Sequence, residues 1–340
     1  MNANAFVSHK GAHACVCPGN TAWPSPPPER EPTSHPLREA VPGRGGRTPK
    51  LYAEGMSDAA NTPAPDPSPS APDSPEHSRT ALVTGASSGI GEEYARRLGQ
   101  RGYDLVVVAR RGELLAALAD EIRERYGTGV EVISADLGSA EGVMAVAERL
   151  AADGSGDLAP IDLLVNNAGR GDGGVFAEQD PAEIDAMIDL NVRAVLQLAR
   201  AVLPVQTARR AAGYDGKLGV VNVASMAGEI PANPGGSVYG AGKKFVTLWS
   251  ESVAAEVRKQ GVHVTAVLPG FVRTDMTRGV QEQGMPAFAF VPKEHIVRDS
   301  LVAWSAGRPV VVPGAQYKTA AGILRLLPRP LVRAVARRMA

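Results

Sequence analysis

The chain has 340 residues, and its 36 basic and 36 acidic side chains give a formal net charge of zero. This balance offers no general electrostatic argument for a nucleic-acid partner, so we expect none. No apolar run reaches the length of about 18 residues that would predict a membrane-spanning helix. The hydrophobic content of 44% is sufficient for a sizeable core.

The N-terminal region, residues 1–79, differs in composition from the rest of the chain. It contains fifteen of the 27 prolines, and proline interrupts both helices and sheets. We therefore predict a disordered, Pro-rich tail, because such a segment buries too little apolar surface to offset the entropy of ordering. The tail lacks the features of a secretory signal, and Met56 is a candidate native start.

The two cysteines, Cys15 and Cys17, both lie in this tail. Together with His9 or His13 they could in principle bind a metal, but the spacing favours a passive pair, so we predict no metal site. The folded part of the chain contains no cysteine and hence no disulfide framework. This composition fits a reducing compartment, and we expect a cytoplasmic protein.

A glycine-rich turn follows the first predicted strand. Residues 80–84 are β-prone, residues 85–91 have the spacing G-x-x-x-G-x-G, and residues 92–98 have helical periodicity. Glycines allow a tight turn and close approach of a phosphate, and the helix start offers free N–H groups with a positive dipole end. The pattern predicts a pyrophosphate cradle; the alternative is a loop that merely needs flexible turns.

Two arginines stand at the end of the second predicted strand, residues 103–109. An acidic residue at this place would bind the ribose 2′-hydroxyl of NAD. Arg110 and Arg111 occupy it instead, and a guanidinium group can bind a 2′-phosphate in bidentate fashion. We therefore predict NADP(H) rather than NAD(H), the alternative being arginines that simply face solvent at a helix start.

The middle of the chain alternates predicted helices and strands. A helix over 112–126 precedes a third strand, 130–135, which ends at Asp136. This acid could accept a hydrogen bond from an adenine amino group or cap the helix predicted over 139–151. A fourth strand, 161–165, leads into small residues that leave room for a ligand at the sheet edge.

A long helix is predicted over 181–206, and it carries Asn191. An asparagine inside a helix competes with the backbone for hydrogen bonds, so its presence needs a reason. That reason is either a role in a functional site or a buried structural amide, and the sequence does not separate the two.

The fifth predicted strand, 218–224, ends at Ser225, and a helix over 237–260 follows. Its first turns place Tyr239 and Lys243 four residues apart, on one face. A phenol normally titrates near about 10, and a nearby positive charge lowers that pKa. The pair is therefore a candidate proton donor and acceptor, although a surface pair with no function has the same spacing.

The sixth predicted strand, 262–268, precedes a segment with little regular pattern, 275–292. That segment contains Met276, Met285, Phe288 and Phe290. We predict either a substrate lid over the crevice or an ordinary mobile connection.

The remaining histidines of interest are His263, inside the sixth strand, and His295, on a later helix. We predict structural rather than catalytic positions for both.

The C-terminal end begins after a seventh predicted strand, 310–313. From Lys318 onward it holds six basic and no acidic residues, and Pro328 and Pro330 would interrupt any continuous helix. Such an extension, 316–340, could lie on an anionic membrane surface. The favoured alternative is a helix packed on a neighbouring subunit or over the substrate crevice.

Taken together, residues 80–315 resemble the short-chain dehydrogenase/reductase family, of the short single-domain type. The glycine turn, Asn166–Gly169, the Tyr-x-x-x-Lys pair and the Pro269-Gly270 segment occur in the family's order. This resemblance implies an α/β fold, a Rossmann-type doubly wound parallel sheet of about seven strands with helices on both faces. One departure is the loop from Ser225 to Tyr239, which is one residue longer than usual.

The resemblance also implies the site. The catalytic residues would be Asn191, Ser225, Tyr239 and Lys243. The cofactor-binding residues would be Gly85, Ser87, Ser88, Gly89, Ile90, Gly91, Arg110, Arg111, Asp136, Leu137, Asn167, Ala168, Gly169, Tyr239, Lys243, Pro269, Gly270, Val272 and Thr274. Lys243 would bind the nicotinamide ribose and lower the pKa of Tyr239, and Asn191 would hold a water.

The implied activity is hydride transfer between the nicotinamide of NADP(H) and a small-molecule carbonyl or alcohol substrate. Two other interpretations remain open from the residues: a non-catalytic NADP(H)-binding sensor, and a sugar-nucleotide epimerase or dehydratase, which shares the Tyr-x-x-x-Lys spacing. The family also implies a homodimer or homotetramer assembled through the two long helices.

Overall fold

The computed structural model of the protein describes residues 79–171, 173–230 and 233–326. The strands are β1 (Arg79–Thr84), β2 (Tyr103–Ala109), β3 (Val130–Ser134), β4 (Leu163–Asn166), β5 (Leu218–Val223), β6 (Val262–Val267) and β7 (Val310–Val311). The helices are α1 (Gly89–Gln100), α2 (Gly112–Tyr126), α3 (Ala140–Leu150), α4 (Pro181–Ile188), α5 (Ala194–Ala211), α6 (Ser237–Val257), α7 (Arg278–Glu282), α8 (Lys293–Ser305) and α9 (Ala315–Leu326).

Several predictions fall outside the described residues. These are the disordered tail before Arg79 with its start at Met56, the cysteine pair, and the end of the chain beyond Leu326 with its two prolines. Within the described ranges, no helix combines the length and apolar character needed to cross a membrane.

All seven strands form one parallel sheet in the order β3-β2-β1-β4-β5-β6-β7. This confirms the predicted Rossmann-type sheet. Because β1 pairs with both β2 and β4, the chain crosses from one half of the sheet to the other between β3 and β4. The carboxyl ends of β1 and β4 therefore flank the switch point, where open α/β sheets bind their ligands.

The sheet is covered on both faces, as its nearly continuous apolar strands predict. Successive strand residues point to opposite faces. Val83 and Val107 belong to a buried cluster with residues of α1, α2 and α8. Their neighbours Leu82 and Val106 belong to a second cluster with residues of α3, α5 and α6. The two clusters give the doubly wound arrangement.

The fourth strand begins two residues later than predicted. Ile161 and Asp162 are buried but precede the strand. The carboxylate of Asp162 accepts hydrogen bonds from Thr80 N at 2.7 Å and from the Arg209 guanidinium at 2.9 Å. Asp162 therefore connects β1 to α5 through its side chain, and the regular strand begins only at the next residue, Leu163.

The predicted helix over 181–206 is interrupted. A π-helical turn, Asp189–Arg193, separates α4 from α5. Asn191 lies in this turn, donates from Nδ2 to Arg170 O at 2.7 Å and accepts from Arg170 N at 3.0 Å. These bonds join residues 21 positions apart, so helical periodicity in the sequence could not indicate the turn.

The segment 275–292 is more regular than predicted. It contains the 3₁₀ turns Asp275–Thr277 and Ala287–Ala289 on either side of α7. The first turn is capped locally, because Thr274 N donates to Thr277 Oγ1 at 3.2 Å and the Gln281 amide donates to Thr274 O at 2.9 Å.

A chain of buried polar groups crosses the sheet at its centre. Asn166 Nδ2 on β4 donates to Asn222 Oδ1 on β5 at 2.9 Å, and Asn222 Nδ2 donates to Ser250 Oγ on α6 at 2.9 Å. Ser250 Oγ in turn donates to Val246 O at 2.7 Å. All three side chains are buried, so each bond satisfies a polar group that would be costly to leave unpaired.

Replacing Ser250 by alanine should destabilise the protein, because it leaves the Asn222 amide buried without its acceptor. We expect a loss of about 1–3 kcal/mol in the free energy of unfolding, measured by urea denaturation. Ser252→Ala is the matched control: this exposed hydroxyl on the same helix also donates to a carbonyl four residues back, Leu248 O at 3.0 Å. It should change stability by less than about 0.5 kcal/mol. Equal effects of the two substitutions would contradict the assignment.

Candidate active site

The glycine turn after β1 presents bare backbone at the start of α1. Gly85 and Gly89 have φ values of 66° and 64°, which disfavour other residues. A Cβ on Gly91 would overlap Gly85 O and the Asn167 amide. A side chain at any of these positions would therefore strain the turn or fill it, and the turn stays concave beside the free N–H groups of α1.

Two side chains fasten this turn to the end of β4. Thr84 Oγ1 accepts from Asn167 N at 2.9 Å and from Ala168 N at 3.0 Å. Asn167 Nδ2 donates to Thr84 O at 3.0 Å and Gly85 O at 3.3 Å. The carboxyl ends of the two strands beside the switch point are thereby held in one arrangement.

The arginines after β2 lie at the mouth of the turn. Arg111 Nη2 donates to Ser87 Oγ at 3.0 Å and to Ser88 Oγ at 2.9 Å. Arg110 also lines the cleft. Both arginines are exposed, and Arg111 is the N-cap residue of α2, as the alternative interpretation expected. Arg111 in addition contacts the glycine turn.

Asp136 also lines this cleft. The N-cap of α3 is Ser139, whose hydroxyl accepts from Gly142 N at 3.1 Å. Asp136 instead orders the preceding turn, because its Oδ1 accepts from Gly138 N at 3.0 Å. Ser139, and not Asp136, therefore caps α3. Asp136 is exposed and lines the cleft beside Leu137.

Ser225, Tyr239 and Lys243 meet at the other end of the cleft. Ser225 lies two residues beyond the end of β5, and its Oγ accepts from Ala227 N at 3.1 Å. Tyr239 and Lys243 stand on the first two turns of α6. The ammonium nitrogen of Lys243 lies 5.9 Å from the centroid of the Tyr239 ring.

Lys243 is deeply buried, with 5% of its surface exposed. Its Nζ donates to Val223 O at 2.8 Å. Burial lowers the pKa of Lys243 from 10.5 to about 8, because the charged form loses hydration. A Cβ on Gly169 would lie 3.4 Å from this Nζ and 2.9 Å from Asn191 Oδ1, so the glycine keeps space between the two side chains.

The pKa of Tyr239 differs from the expectation. Burial raises the pKa of its phenol, and the neighbouring Ser225 hydroxyl acts in the opposite direction. A lowering by Lys243 was expected, but its Nζ donates to Val223 O and lies 5.9 Å from the ring centroid, and burial dominates the pKa of the phenol. Without a bound cofactor, the protonated phenol is therefore favoured.

Asn191 uses its amide on both backbone groups of Arg170, as the structural interpretation anticipated. It also lies beside Gly169, next to the position of the lysine. These bonds fix the start of the loop that follows β4.

The segment after β6 closes the cleft. Pro269, Gly270, Val272 and Thr274 all line it. A Cβ on Gly89 would lie 3.1 Å from Thr274 Cγ2, so this segment faces the glycine turn across the cleft.

The cleft has a volume of about 750 Å³. Its lining contains every predicted site residue except two, Gly91, which lies behind the glycine turn, and Asn191, which lies behind Gly169. His263 and His295 are not in the lining: His263 Nδ1 contacts Trp304 O at 2.8 Å, and His295 is exposed on α8.

Sequence reasoning missed Tyr317 as part of this site. It belongs to the first turn of α9 and lines the cleft beside Gly270. The only signal was an aromatic residue at the start of a basic amphipathic segment. Its contacts are with residues 28 and 46 positions away, which no local pattern reveals.

The residues present fit a dinucleotide cofactor. The concave glycine turn at a helix start suits a pyrophosphate, and the guanidinium groups at its mouth suit a further phosphate. The groups at the other end of the cleft suit a ribose and a reacting carbonyl.

Comparison with known proteins agrees with this fit. The sequence pattern of the short chain dehydrogenase family matches residues 79–284. The oxidoreductase UcpA of Salmonella typhimurium is 35% identical over 208 residues, which cover 61% of this chain and 74% of that protein.

Solved structures give the same result. A short-chain dehydrogenase from Sphingobium yanoikuyae in complex with NADPH is 33% identical, with a TM-score of 0.62, covering 74% of this chain and 96% of that chain. A bulky-bulky ketone specific alcohol dehydrogenase from Comamonas testosteroni is 34% identical, with a TM-score of 0.60, covering 74% of this chain and 95% of that chain.

The chain therefore belongs to the short-chain dehydrogenase/reductase family, which confirms the resemblance seen in the sequence. Like its relatives, it is an NAD(P)-dependent dehydrogenase or reductase that acts on small-molecule substrates.

Stability should depend on pH through Lys243. Below pH 8 the lysine is protonated in both the folded and the unfolded chain, so the full cost of burying its charge is present. Between pH 8 and pH 10.5 the unfolded chain binds more protons, so stability rises with pH. A fall in pKa from 10.5 to about 8 corresponds to about 3 kcal/mol.

Urea denaturation of wild type and Lys243→Met across this pH range measures the effect. As pH rises, the free energy of unfolding of the wild type should increase by up to about 3 kcal/mol relative to that of the variant. The lost bond to Val223 O adds an offset that does not vary with pH. If the difference in unfolding free energy between the two proteins does not change with pH, the lowered pKa of the buried Lys243 is contradicted.

Proposed function

We propose that this protein is an NADP(H)-dependent oxidoreductase that transfers a hydride between nicotinamide and a carbonyl or alcohol substrate, with Tyr239 as the acid and base. The observation that carries the proposal is the convergence of the Ser225 hydroxyl, the Tyr239 phenol and the buried Lys243 ammonium in one cleft. The cofactor cradle opens into the same cleft.

The cofactor would be held along the whole cleft. The glycine turn and the start of α1 would bind the pyrophosphate, and Asp136 would contact the adenine. Asn167 to Gly169 would form the wall of the adenosine ribose, Lys243 would bind the nicotinamide ribose, and Thr274 the carboxamide. When bound, the nicotinamide supplies or accepts the hydride.

The protein's own residues would handle the proton. In the reductive direction Tyr239 would donate its proton to the carbonyl oxygen as negative charge develops there. The backbone N–H of Ala227 orients Ser225 Oγ, which leaves the Ser225 hydroxyl hydrogen to donate to the same oxygen. Asn191 would hold a water that links Lys243 to solvent.

Removal of the Tyr239 proton tests this assignment. Tyr239→Phe keeps the ring and should lower kcat by at least about a hundredfold, because general acid catalysis contributes that much or more. NADPH binding, measured by fluorescence titration, should persist and serves as the folding control. Turnover near the wild-type rate would refute the role of the phenol.

The preference for NADP(H) rests on Arg110 and Arg111. The Arg111 guanidinium already lies across Ser87 and Ser88 at the mouth of the pyrophosphate turn. A ribose 2′-phosphate placed there would meet a fixed positive charge and two hydroxyl donors. The relative from Sphingobium yanoikuyae, whose structure contains NADPH, is consistent with this preference.

Arg111→Ala should therefore weaken the binding of NADPH much more than the binding of NADH. We expect KM for NADPH to rise about tenfold to a hundredfold, the value of one charge-assisted hydrogen bond, while KM for NADH changes less than about twofold. Arg125→Ala, an exposed arginine at the far end of α2, is the matched control and should affect neither cofactor. A parallel rise of KM for both cofactors would contradict the proposal.

The substrate would be a hydrophobic carbonyl or hydroxyl compound. The wall near Tyr239 is formed in part by Gly171, Ile230, Phe271 and Met276. A Cβ on Gly171 would lie 3.4 Å from Met276 Sδ and 3.5 Å from the Tyr239 ring, so Gly171 and Met276 lie close to the phenol. The specificity named for the Comamonas testosteroni relative, a bulky-bulky ketone, agrees with an apolar chamber.

Residues 275–292 would act as the lid of this chamber. Met276, which is 51% exposed, reaches over the cleft, whereas Phe290 is buried against the loop after β6. An apolar substrate would give the exposed side chain a partner and would favour closure.

We further propose the domain division and assembly implied by the family. Residues 80–315 would form the cofactor-binding domain and residues 316–340 a C-terminal extension. A cytoplasmic homodimer or homotetramer would be built on α4, α5 and α6. Exposed apolar side chains on these helices, Ile188, Phe245 and Leu248, offer a surface for that contact.

A further inference from the structure

Tyr317 lies where α9 meets the cleft. Its ring packs directly over Gly270, since a Cβ on that glycine would overlap the ring carbons. The ring also lines the cleft. Gly270 thus provides the space that lets α9 approach the loop after β6.

The Tyr317 hydroxyl joins two separate backbone segments. It donates to Ala289 O at 2.7 Å and accepts from Phe271 N at 3.1 Å. Ala289 belongs to the 3₁₀ turn Ala287–Ala289, the far end of the proposed lid. Phe271 follows Gly270 directly, so the hydroxyl ties the lid to the loop that borders the cofactor cradle.

The neighbouring residue strengthens the same attachment. Gln316 Nε2 donates to Phe288 O at 3.2 Å, again on the lid turn. Phe271 O also accepts from Val291 N at 2.8 Å, and the rings of Phe271 and Phe290 lie 6.3 Å apart. The first turn of α9 and the residues flanking Gly270 therefore hold one end of the lid together.

Burial of side chains contributes little to holding the lid turn itself. Phe288, at the centre of the turn, is 78% exposed, and Ala287 and Pro286 are exposed as well. The position of this turn thus depends on hydrogen bonds from Gln316 and Tyr317 to its carbonyls, together with the burial of Phe290 and Val291, which follow the turn.

We propose that Tyr317 is a positioning residue that fastens the substrate lid through its hydroxyl, so that α9 sets how tightly the chamber closes over an apolar substrate. This inference rests on the proposed function, because the chamber is the substrate side of that site. Loss of the hydroxyl frees Ala289 O and Phe271 N while the ring still covers Gly270. Substrate binding must then order a looser lid, which weakens binding more than it slows the chemistry.

The test is Tyr317→Phe in the full-length protein, with two readouts. The first is hydrogen–deuterium exchange of the lid peptide without substrate, which does not depend on any activity. Exchange at residues 287–291 should be at least about fivefold faster, because the loss of one hydrogen bond makes local opening of the turn more favourable by about that factor. The second is steady-state kinetics with a bulky apolar ketone, for which KM should rise about fivefold while kcat changes less.

Two further variants keep the result specific. Gln316→Leu removes the bond to Phe288 O from outside the cleft lining, and it should shift lid exchange and KM in the same direction by a smaller factor. Tyr126→Phe deletes a tyrosine hydroxyl at the end of α2, away from the cleft, and should leave both readouts unchanged. Melting temperatures of the variants report any general loss of fold.

Lid exchange within about twofold of the wild type in Tyr317→Phe would overturn the proposal, as would faster exchange with an unchanged KM. A larger response to Gln316→Leu than to Tyr317→Phe would also overturn it, because the Tyr317 hydroxyl would then not be the main attachment of the lid turn. If no ketone is turned over by the wild type, the proposed function fails while the exchange result still decides whether Tyr317 holds the lid.

Discussion

The arrangement of the whole site depends on how the carboxyl ends of β1 and β4 are held together. The strand order reverses between these two strands, so a crevice opens at their ends. Thr84 Oγ1 and the Asn167 amide bridge that crevice with four hydrogen bonds of 2.9–3.3 Å. They fix the glycine turn on one side, and they fix the start of the segment that carries Gly169 on the other.

The residues with chemical roles then occupy positions that this frame leaves open. Gly169 keeps space between Asn191 and Lys243, and the amide of Asn191 holds the next backbone unit. The cost of burying the Lys243 ammonium is offset in part by its bond to Val223 O. The same dense surroundings raise the pKa of Tyr239 and lower that of Lys243. In the protein alone, the proposed acid is therefore poised to keep its proton.

A bound cofactor changes this balance through charge. Its pyrophosphate and ribose would favour the charged form of Lys243, and the oxidised nicotinamide ring would bring a positive charge of its own. Both effects would favour phenolate at Tyr239. The lowered pKa expected from the Tyr-x-x-x-Lys spacing is thus a property that we assign to the complex and not to the protein alone.

The sequence predicted most of this architecture because its signals are local. Each strand is a short apolar run, and the glycine spacing, Arg110, Arg111 and the Tyr239–Lys243 pair each follow directly from neighbouring residues. The features that it missed arise from contacts distant in sequence. The π-helical turn at Asn191 depends on Arg170, the late start of β4 on the anchoring of Asp162, and the place of Tyr317 on Ala289 and Phe271. The periodicity of apolar residues along the sequence does not indicate such contacts.

The central claim is that the cofactor turns the Tyr239–Lys243 pair into a proton donor and acceptor that works near neutral pH. Ultraviolet difference titration of tyrosine ionisation, with and without saturating NADP⁺, measures this directly. With NADP⁺ bound, one tyrosine should ionise well below the usual value of about 10, and this step should vanish in Tyr239→Phe. If no tyrosine of the NADP⁺ complex ionises below about 10, the claim is contradicted.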